Sequence, residues 1–134
     1  MNSEFIPDGE WQGFYFYTFE NSEHKMNCTL RFVNGLIHGP GTDDIAPFSF
    51  NGNYTESLNV EITKSYYSHQ VIYVGCADEN GIWGKWRLYD CLTGGFHIWP
   101  VKENHESLKR EEEKKLVKSS SFTNPQIKEL VTIR

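Results

Sequence analysis

The chain is short of cysteine, of basic side chains and of long apolar runs. Its 134 residues include three cysteines, Cys28, Cys76 and Cys91, without C-x-x-C spacing, so we expect free thiols in a reducing compartment rather than disulfides or a zinc site. No apolar run approaches the roughly 18–20 residues of a membrane helix. Residues 1–5 have no basic region and no apolar stretch of the kind found in secretory signals. These absences predict a cytoplasmic protein with no membrane contact.

Basic residues are outnumbered and unevenly placed. The chain has 13 Lys and Arg against 18 Asp and Glu, a net charge of −5. Residues 1–103 hold 6 basic and 13 acidic groups, net −7, and residues 104–134 hold 7 and 5, net +2. An acidic body repels phosphate backbones, so we expect no nucleic-acid partner. The change of composition divides the chain into a domain, 1–103, and a charged tail, 104–134.

Aromatic residues, in contrast, are abundant and alternate with polar ones. The 4 Trp, 7 Tyr and 9 Phe make up 15% of the chain, which is enough apolar surface for a core. Period-two alternation with a turn signal about every ten residues is typical of an all-β sandwich or barrel. The pattern predicts eight strands, at residues 10–19, 24–33, 36–39, 46–55, 58–67, 69–77, 82–90 and 95–102.

Short connections between these segments favour an antiparallel meander. No helical pattern intervenes, which excludes parallel crossovers. Asn34-Gly35 and Asn80-Gly81 lie between apolar runs and predict hairpin turns, whereas Asn51-Gly52 lies inside a strand and predicts a bulge or a barrel bend. Eight such strands can close on themselves and leave no exposed edge. We therefore predict an eight-stranded antiparallel up-and-down β-barrel.

The tail that follows the predicted barrel has a different composition. Glu and Lys at i,i+4 spacing over 104–118 predict an exposed helix or a charged linker. A Ser-rich segment at 119–125 separates this part from a short run of alternating apolar and polar residues, 126–133. This run either packs against another surface or is a frayed end.

The fifth predicted strand indicates what lies inside the barrel. Leu58, Val60 and Ile62 share one face with Lys64, and we expect this face to point inward. A buried lysine is costly unless it is paired, so Lys64 lies near a barrel mouth or meets an anion from the protein or from a ligand. The pattern predicts a cavity for a small anionic, carbonyl-bearing or aromatic ligand, lined by Tyr15, Tyr54, Lys64, Tyr66, His69 and Tyr73. The alternative is that Lys64 reaches the rim and the tyrosines bond one another.

Residues 38–44 form the most unusual predicted loop. Its Gly-Pro-Gly sequence beside two carboxylates can bend tightly over a barrel mouth. His38, Asp43 and Asp44 are candidate ligands for a divalent metal, or partners for Lys64. A second ligand pair at a defined spacing is missing, so a plain turn is favoured and we expect neither a metal nor a cofactor.

Predicted strands one, six, seven and eight are apolar on both faces. The first and eighth are neighbours in a closed barrel, so their outer faces join into a patch too large to leave in water. We expect a partner interface here that includes Phe14, Phe16, Trp83 and Trp99. A second copy of the chain, the tail or another protein covers it.

The opening Gly9-Glu10-Trp11 resembles the G-x-W that begins the first strand of calycins, and within them of avidin-like and lipocalin-like barrels. The meander spacing over 9–102 agrees with it, as do the glycines near strand centres, Gly13, Gly52, Gly75 and Gly84. The lipocalin Thr-Asp-Tyr signature is absent. The resemblance implies the barrel architecture and a ligand inside it, and no biotin-binding residue is carried over.

Motifs for catalysis are missing from the sequence. There is no G-x-S-x-G, no H-E-x-x-H and no phosphate-binding glycine loop. By strand parity Cys76 faces away from His69, which argues against a Cys–His dyad. We therefore expect no catalytic residues and favour a non-catalytic barrel that binds a small ligand. The alternative is a protein-interaction module with a solid core, acting through its outer face and tail as a homo-oligomer or with a protein partner.

Overall fold

A computed structural model describes residues 4–89 and 91–102 and shows a closed antiparallel β-barrel in that part of the chain. Each strand pairs with the next in sequence, and the eighth pairs with the first. The strands are β1 (Gly9–Tyr17), β2 (His24–Val33), β3 (Leu36–Asp43), β4 (Pro47–Tyr54), β5 (Asn59–Tyr66), β6 (Gln70–Asp78), β7 (Gly81–Leu88) and β8 (Leu92–Pro100). The predicted fold class is confirmed. The predicted tail, 104–134, lies outside the described residues.

Alternation along each strand places the apolar set inside the barrel. On β5, Val60, Ile62 and Lys64 are buried, and Leu58, which precedes the strand, packs against the core. β2 alternates between buried and exposed residues along most of its length. The lumen is therefore built from the residues that period-two alternation assigns to it.

Aromatic rings fill the middle of the barrel. The ring of Tyr73 lies 5.5 Å from that of Phe50 and 4.5 Å from that of Phe96, measured between centroids. Trp11 and Phe32 pack 5.5 Å apart in the same core. An eight-stranded barrel has an interior that side chains alone can fill, and these rings pack against one another within it.

Two glycines allow close contact between neighbouring strands. Gly75 on β6 lies opposite Gly84 on β7. A Cβ on Gly75 would overlap the carbonyl oxygen of Trp83, and one on Gly84 would overlap that of Val74. The absence of side chains at this pair lets the backbones approach as the barrel wall curves.

The Asn-Gly pairs have three different roles. Asn34 and Gly35 have φ values of +51° and +82° and form the two-residue β2–β3 turn, as predicted. The β6–β7 hairpin is also confirmed, but Gly81, with φ +109°, pairs with Asp78 and the turn itself is residues 79–80. Gly52 lies in β4 with an unbroken register against β5, so of the two predicted alternatives the bulge is wrong and the barrel bend is left. A Cβ on Gly52 would overlap the backbone of β5, which explains the glycine.

The predicted loop over residues 38–44 is wrong for most of its length, because β3 continues to Asp43. The register against β2 is the same on both sides of Gly39 and Pro40, with Arg31 opposite His38 and Cys28 opposite Gly41. A Cβ on Gly39 would overlap the carbonyl oxygen of Thr29, so the glycine permits a close strand approach rather than a turn.

The strand order places four connections together at one end of the barrel. These are residues 18–23, 44–46, 67–69 and 89–91, and we call this the Asp43 end. The architecture is compatible with the calycin resemblance. Within residues 4–89 and 91–102, no helix has the length and apolar character needed to span a membrane.

Candidate functional site

A buried ion pair lies beneath the Asp43 end. Lys64, on β5, points inward, and its Nζ lies 2.6 Å from Oδ2 of Asp43, with 1% and 0% of the two side chains exposed. The ammonium also donates to the hydroxyl of Tyr73 at 3.1 Å and lies 3.7 Å from Sδ of Met26. Of the alternatives for Lys64, the structure shows pairing with a protein carboxylate.

Asp43 joins this ion pair to the turn between β3 and β4. Its Oδ1 accepts the backbone N–H groups of Ile45 and Ala46, at 2.8 and 3.1 Å. Its Oδ2 accepts the hydroxyl of Tyr66 in addition to the ammonium of Lys64. A carboxylate with four donors is held in one position, so the turn and the lumen form one connected unit.

Four aromatic rings surround the Lys64 ammonium. Its Nζ lies 4.4 Å from the ring centroid of Phe48, 4.6 Å from Tyr15, 5.2 Å from Tyr66 and 5.4 Å from Tyr73. Such rings attract a cation through their negative faces. Burial lowers the pKa of Lys64, while its hydrogen bond to Asp43 acts in the opposite direction.

A second network of hydrogen-bonded side chains lies beside the Lys64–Asp43 pair and reaches the surface. Tyr15 donates to Oδ1 of Asp44 at 2.5 Å, and Nδ1 of His24 lies 2.6 Å from Oδ2 of the same carboxylate. Nε2 of His24 lies 2.5 Å from Glu20. The imidazole ring stacks on the ring of Tyr15, with centroids 4.8 Å apart. Both ring nitrogens of His24 thus meet a carboxylate.

Burial and charge shift the pKa values of the side chains in and beside this network. Burial by itself lowers the pKa of His24, but the hydrogen bonds from Glu20 and Asp44 outweigh it and raise the pKa above its ordinary value. Burial raises the pKa of Asp44, but its bonds to Tyr15 and His24 outweigh that effect and lower it. Burial, with the nearby carboxylates, raises the pKa of Tyr15 and of Tyr66. The charged His24 and the charged Asp44 therefore stabilise each other, and the tyrosines stay protonated.

A small pocket opens at the Asp43 end, above the Lys64–Asp43 pair and the hydrogen-bonded network of Asp44 and His24. Its volume is about 30 Å³, and a water molecule requires about 10–15 Å³ on this measure, so it holds about two. Aromatic and aliphatic side chains make up most of its wall. The lining residues are Tyr15, Tyr17, Ile45, Lys64, Tyr66, His69, Val71, Tyr73, Trp86 and Leu88.

Five of the six residues predicted for the ligand site lie around this pocket. Tyr54 does not, because it lies at the opposite end of β4, where its ring packs 6.0 Å from Phe32. Its hydroxyl is buried without a hydrogen-bond partner among the described residues. Inward parity identifies Tyr54 as lumenal, but parity carries no information about which end of the barrel a residue occupies.

Sequence reasoning did not select several members of the site. Tyr17 and Trp86 occupy inward positions in the alternation of their strands, so the sequence pattern could have identified them. His24 begins β2 with the parity of the buried Met26, so alternation places it inward as well. Asp44, a candidate from the sequence as a metal ligand or a partner for Lys64, meets Tyr15 and His24 instead. His38, the third candidate metal ligand, is exposed in the middle of β3, away from Asp43. The described ranges contain no group of three or more His, Cys, Asp or Glu placed to hold a metal ion.

The outer aromatic cluster, Phe14, Phe16, Trp83 and Trp99, also comes together. The ring of Phe14 meets Trp99 edge-on at 6.1 Å, and Nε1 of Trp83 donates to Asp78 at 3.0 Å. Although they are on the outer face, Phe14 and Phe16 are only 4% and 1% exposed. The two phenylalanines therefore have little surface left to offer a partner.

Comparisons of the chain with protein-family models, with curated proteins and with solved structures found no match.

Proposed function

We propose that this protein is a non-catalytic binding barrel that takes its ligand at the Asp43 end. The observation that carries the proposal is the pocket there, an aromatic-walled opening with a buried Lys64–Asp43 pair beneath it. Apolar pockets with a few converging polar groups are the usual form of a ligand site. Buried side chains form the core of the described barrel, and the pocket at this mouth gives a small ligand group access to it.

The wall of the pocket favours an aromatic or aliphatic group over an anion. Lys64 is the one cation of the lining, and Asp43 already balances its charge at 2.6 Å. An anion would have to displace a carboxylate that two backbone N–H groups also hold. Rings on several sides, including Tyr17 and Trp86 with centroids 5.2 Å apart, suit a flat apolar group instead.

The state of the polar groups supports binding rather than catalysis. An amine that acts as a nucleophile must be deprotonated and accessible, whereas Lys64 is buried and bonded to a carboxylate. Burial raises the pKa of Cys28 to about 12, so this thiol is a poor nucleophile near neutral pH. Neither group has the environment of an activated residue.

We also infer a calycin-type barrel in a reducing, cytoplasmic setting. Gly9 has φ +130°, and Trp11 is buried in the core with its Nε1 donating to the carbonyl of Pro7 at 3.0 Å. The G-x-W sequence thus begins the barrel at the first strand, in the manner the resemblance implies. The three cysteines are free thiols, which agrees with a reducing compartment.

The proposal is tested with small probes on the full chain. Phenol, indole, imidazole and benzoate are titrated while backbone amide NMR shifts are followed. We expect phenol or indole to shift residues around the pocket, and benzoate to shift them least. His69→Ala removes a lining ring and should weaken binding at least threefold. His38→Ala, on the exposed face of β3, is the matched control. A complete lack of pocket shifts at 10 mM probe, or equal effects of the two variants, would overturn the proposal.

The alternative function is an interaction module that acts through the outer aromatic cluster. The structure supports this alternative less well, because Phe14 and Phe16 are buried within the single chain and leave Trp83 and Trp99 to supply the accessible surface of the cluster. Light scattering on the full chain distinguishes the two: dimers that dissociate in Trp83→Thr and Trp99→Thr would favour the alternative.

A further inference from the structure

His24 joins two connections of the Asp43 end through its imidazole ring. Its Nε2 lies 2.5 Å from Oε1 of Glu20, in the connection 18–23, and its Nδ1 lies 2.6 Å from Oδ2 of Asp44, in the connection 44–46. The side chain is 22% exposed, so protons reach it from solvent. One titratable ring therefore links two of the four connections around the pocket.

The same ring contacts two side chains of the pocket wall. It stacks on Tyr15, with centroids 4.8 Å apart and an angle of 18° between the planes, and it meets Tyr17 edge-on at 5.4 Å. Both tyrosines line the pocket. The hydroxyl of Tyr15 also donates to Asp44, the carboxylate that His24 contacts. A change at His24 therefore reaches the pocket through two of its lining rings.

Two ring nitrogens that both face carboxylates require two N–H groups. A charged imidazole has two donors, whereas a neutral one has one donor and one lone pair. In the neutral form of His24, that lone pair would face a carboxylate oxygen at 2.5 or 2.6 Å, and this contact would be lost. His24 can therefore bind Glu20 and Asp44 at the same time only in its charged form.

The groups in contact with the ring favour its charged form. Burial lowers the pKa of His24, but its hydrogen bonds to Glu20 and Asp44 outweigh burial and raise that pKa above its ordinary value. Tyr15 and Tyr17 stay protonated, because burial raises the pKa of each. Two carboxylates and two neutral phenols thus face the imidazole.

The other charged groups near this end are exposed or already paired. Glu23 and Lys25, on either side of His24 in the chain, are exposed, and so is Arg87 on the outer face of β7. The ammonium of Lys64 is buried beneath the pocket with the Asp43 carboxylate at 2.6 Å. The two carboxylates that touch the ring therefore dominate its electrostatic surroundings.

We propose that charged His24 positions Tyr15 and Tyr17, so that the pocket binds its ligand more tightly at pH 6 than at pH 9. Deprotonation removes one carboxylate contact and weakens the attraction of the ring for the face of Tyr15. The wall is then less firmly held, and a site that is not preorganised binds less tightly. This inference rests on the proposed function, since it concerns the regulation of the same pocket, with His24 as a positioning residue.

The test is the affinity of the full chain for indole at pH 6 and at pH 9. The methyl NMR signals of the lining residues Ile45, Val71 and Leu88 report binding. Indole is uncharged at both pH values, so a change in Kd reports on the protein. We expect the Kd of the parent to be at least threefold higher at pH 9.

Histidine variants assign this pH dependence. His24→Gln has no ionisable group at this position and should have equal Kd values at the two pH values. His38→Gln, on the exposed face of β3, is the matched control and should retain the difference. An equal Kd at both pH values in the parent, or an undiminished difference in His24→Gln, would overturn the inference.

His69 requires a control of its own, because it is a second histidine in the pocket lining. Its Nδ1 lies 2.8 Å from Oγ of Ser68, and its ring packs 4.8 Å from that of Tyr66. His69→Gln should keep the threefold difference between pH 6 and pH 9, whatever its affinity. Loss of the difference in His69→Gln but not in His24→Gln would transfer the effect to His69 and contradict the inference.

The ring signals of Trp86 separate this inference from the proposed function. Trp86 lines the pocket and packs 5.2 Å from Tyr17, so its aromatic C–H signals report on the wall without a probe. In the parent they should titrate with the midpoint of His24, which His24→Gln should abolish. If they do so but no probe binds at 10 mM, the positioning by His24 stands and the pocket proposal fails. If indole binds equally well at both pH values, the pocket stands and this inference fails.

Discussion

The ammonium of Lys64 and the carboxylate of Asp43 form an ion pair inside the barrel, 2.6 Å apart and almost fully shielded from water. Each charge makes the burial of the other tolerable, because an isolated ion in this environment would lose its hydration without compensation. Asp43 also holds the β3–β4 turn, so the pair connects the lumen to the mouth where a ligand is proposed to bind.

Loss of one partner of this pair should destabilise the fold strongly. We expect Lys64→Met to lower the free energy of unfolding by about 3–5 kcal/mol, since it leaves Asp43 charged and buried. Adding Asp43→Asn to this variant should cost less than Asp43→Asn does alone. Urea denaturation of the four species of this cycle measures the coupling, with the exposed Lys85→Met as the control. Additive effects of the two substitutions would contradict the pairing.

Phe16 should behave as a core residue although it lies on the outer face. It is 1% exposed and lies across Gly95, where a Cβ would overlap its ring. We expect Phe16→Ala to cost about 3–5 kcal/mol, as for buried phenylalanines. Phe19→Ala, at an exposed position, should change stability by less than about 0.5 kcal/mol in the same denaturation experiment. Equal costs would show that Phe16 is accessible in solution.

His24 gives stability a defined dependence on pH. Its folded pKa is raised by Glu20 and Asp44 above the unfolded value of about 6.5. The stabilisation by charged His24 is therefore complete below pH 6.5 and is lost as the pH rises through the folded pKa. Melting temperatures of the protein and of His24→Gln should converge between pH 6 and 9, whereas His38→Gln should follow the parent throughout. A constant gap would refute this assignment.

Asp44 contributes to the dependence of stability on pH in the acid range. Its folded pKa is lowered by Tyr15 and His24, so its contribution is present above the unfolded pKa of about 3.9 and disappears as the pH falls through the folded value. We expect Asp44→Asn to narrow the difference in melting temperature between pH 5 and pH 2. An unchanged acid limb would mean that other carboxylates dominate it.

The three thiols should react in an order set by burial. Cys91 is exposed, Cys76 is partly buried and Cys28 is buried, with a pKa raised to about 12. At pH 8, iodoacetamide should modify Cys91 first and Cys28 only after denaturation, because the thiolate is the reactive form. Mass spectrometry of timed samples reports the order. Early modification of Cys28 would show that the barrel opens readily.

The sequence supported the wall of the barrel far better than its ends. Val60, Ile62 and Lys64 are inward by alternation alone, since a strand has a side-chain period of two. The β3 prediction failed at Gly39-Pro40-Gly41. A Gly-Pro-Gly sequence is typical of a turn, but here the same residues lie within a strand whose backbone closely approaches its neighbour. The site prediction included Tyr54 for a related reason: parity separates inside from outside but does not separate one mouth from the other.

The sequence by itself determined that eight short strands alternate in polarity and form an antiparallel meander, because local periodicity and turn residues act over a few positions. The tertiary structure alone decided which of the candidate partners Lys64 meets, namely Asp43, 21 residues earlier in the chain, and that Tyr15, Tyr66 and Tyr73 line one pocket. These contacts depend on the register of every strand pair and on the closure of β8 onto β1, which no local pattern specifies.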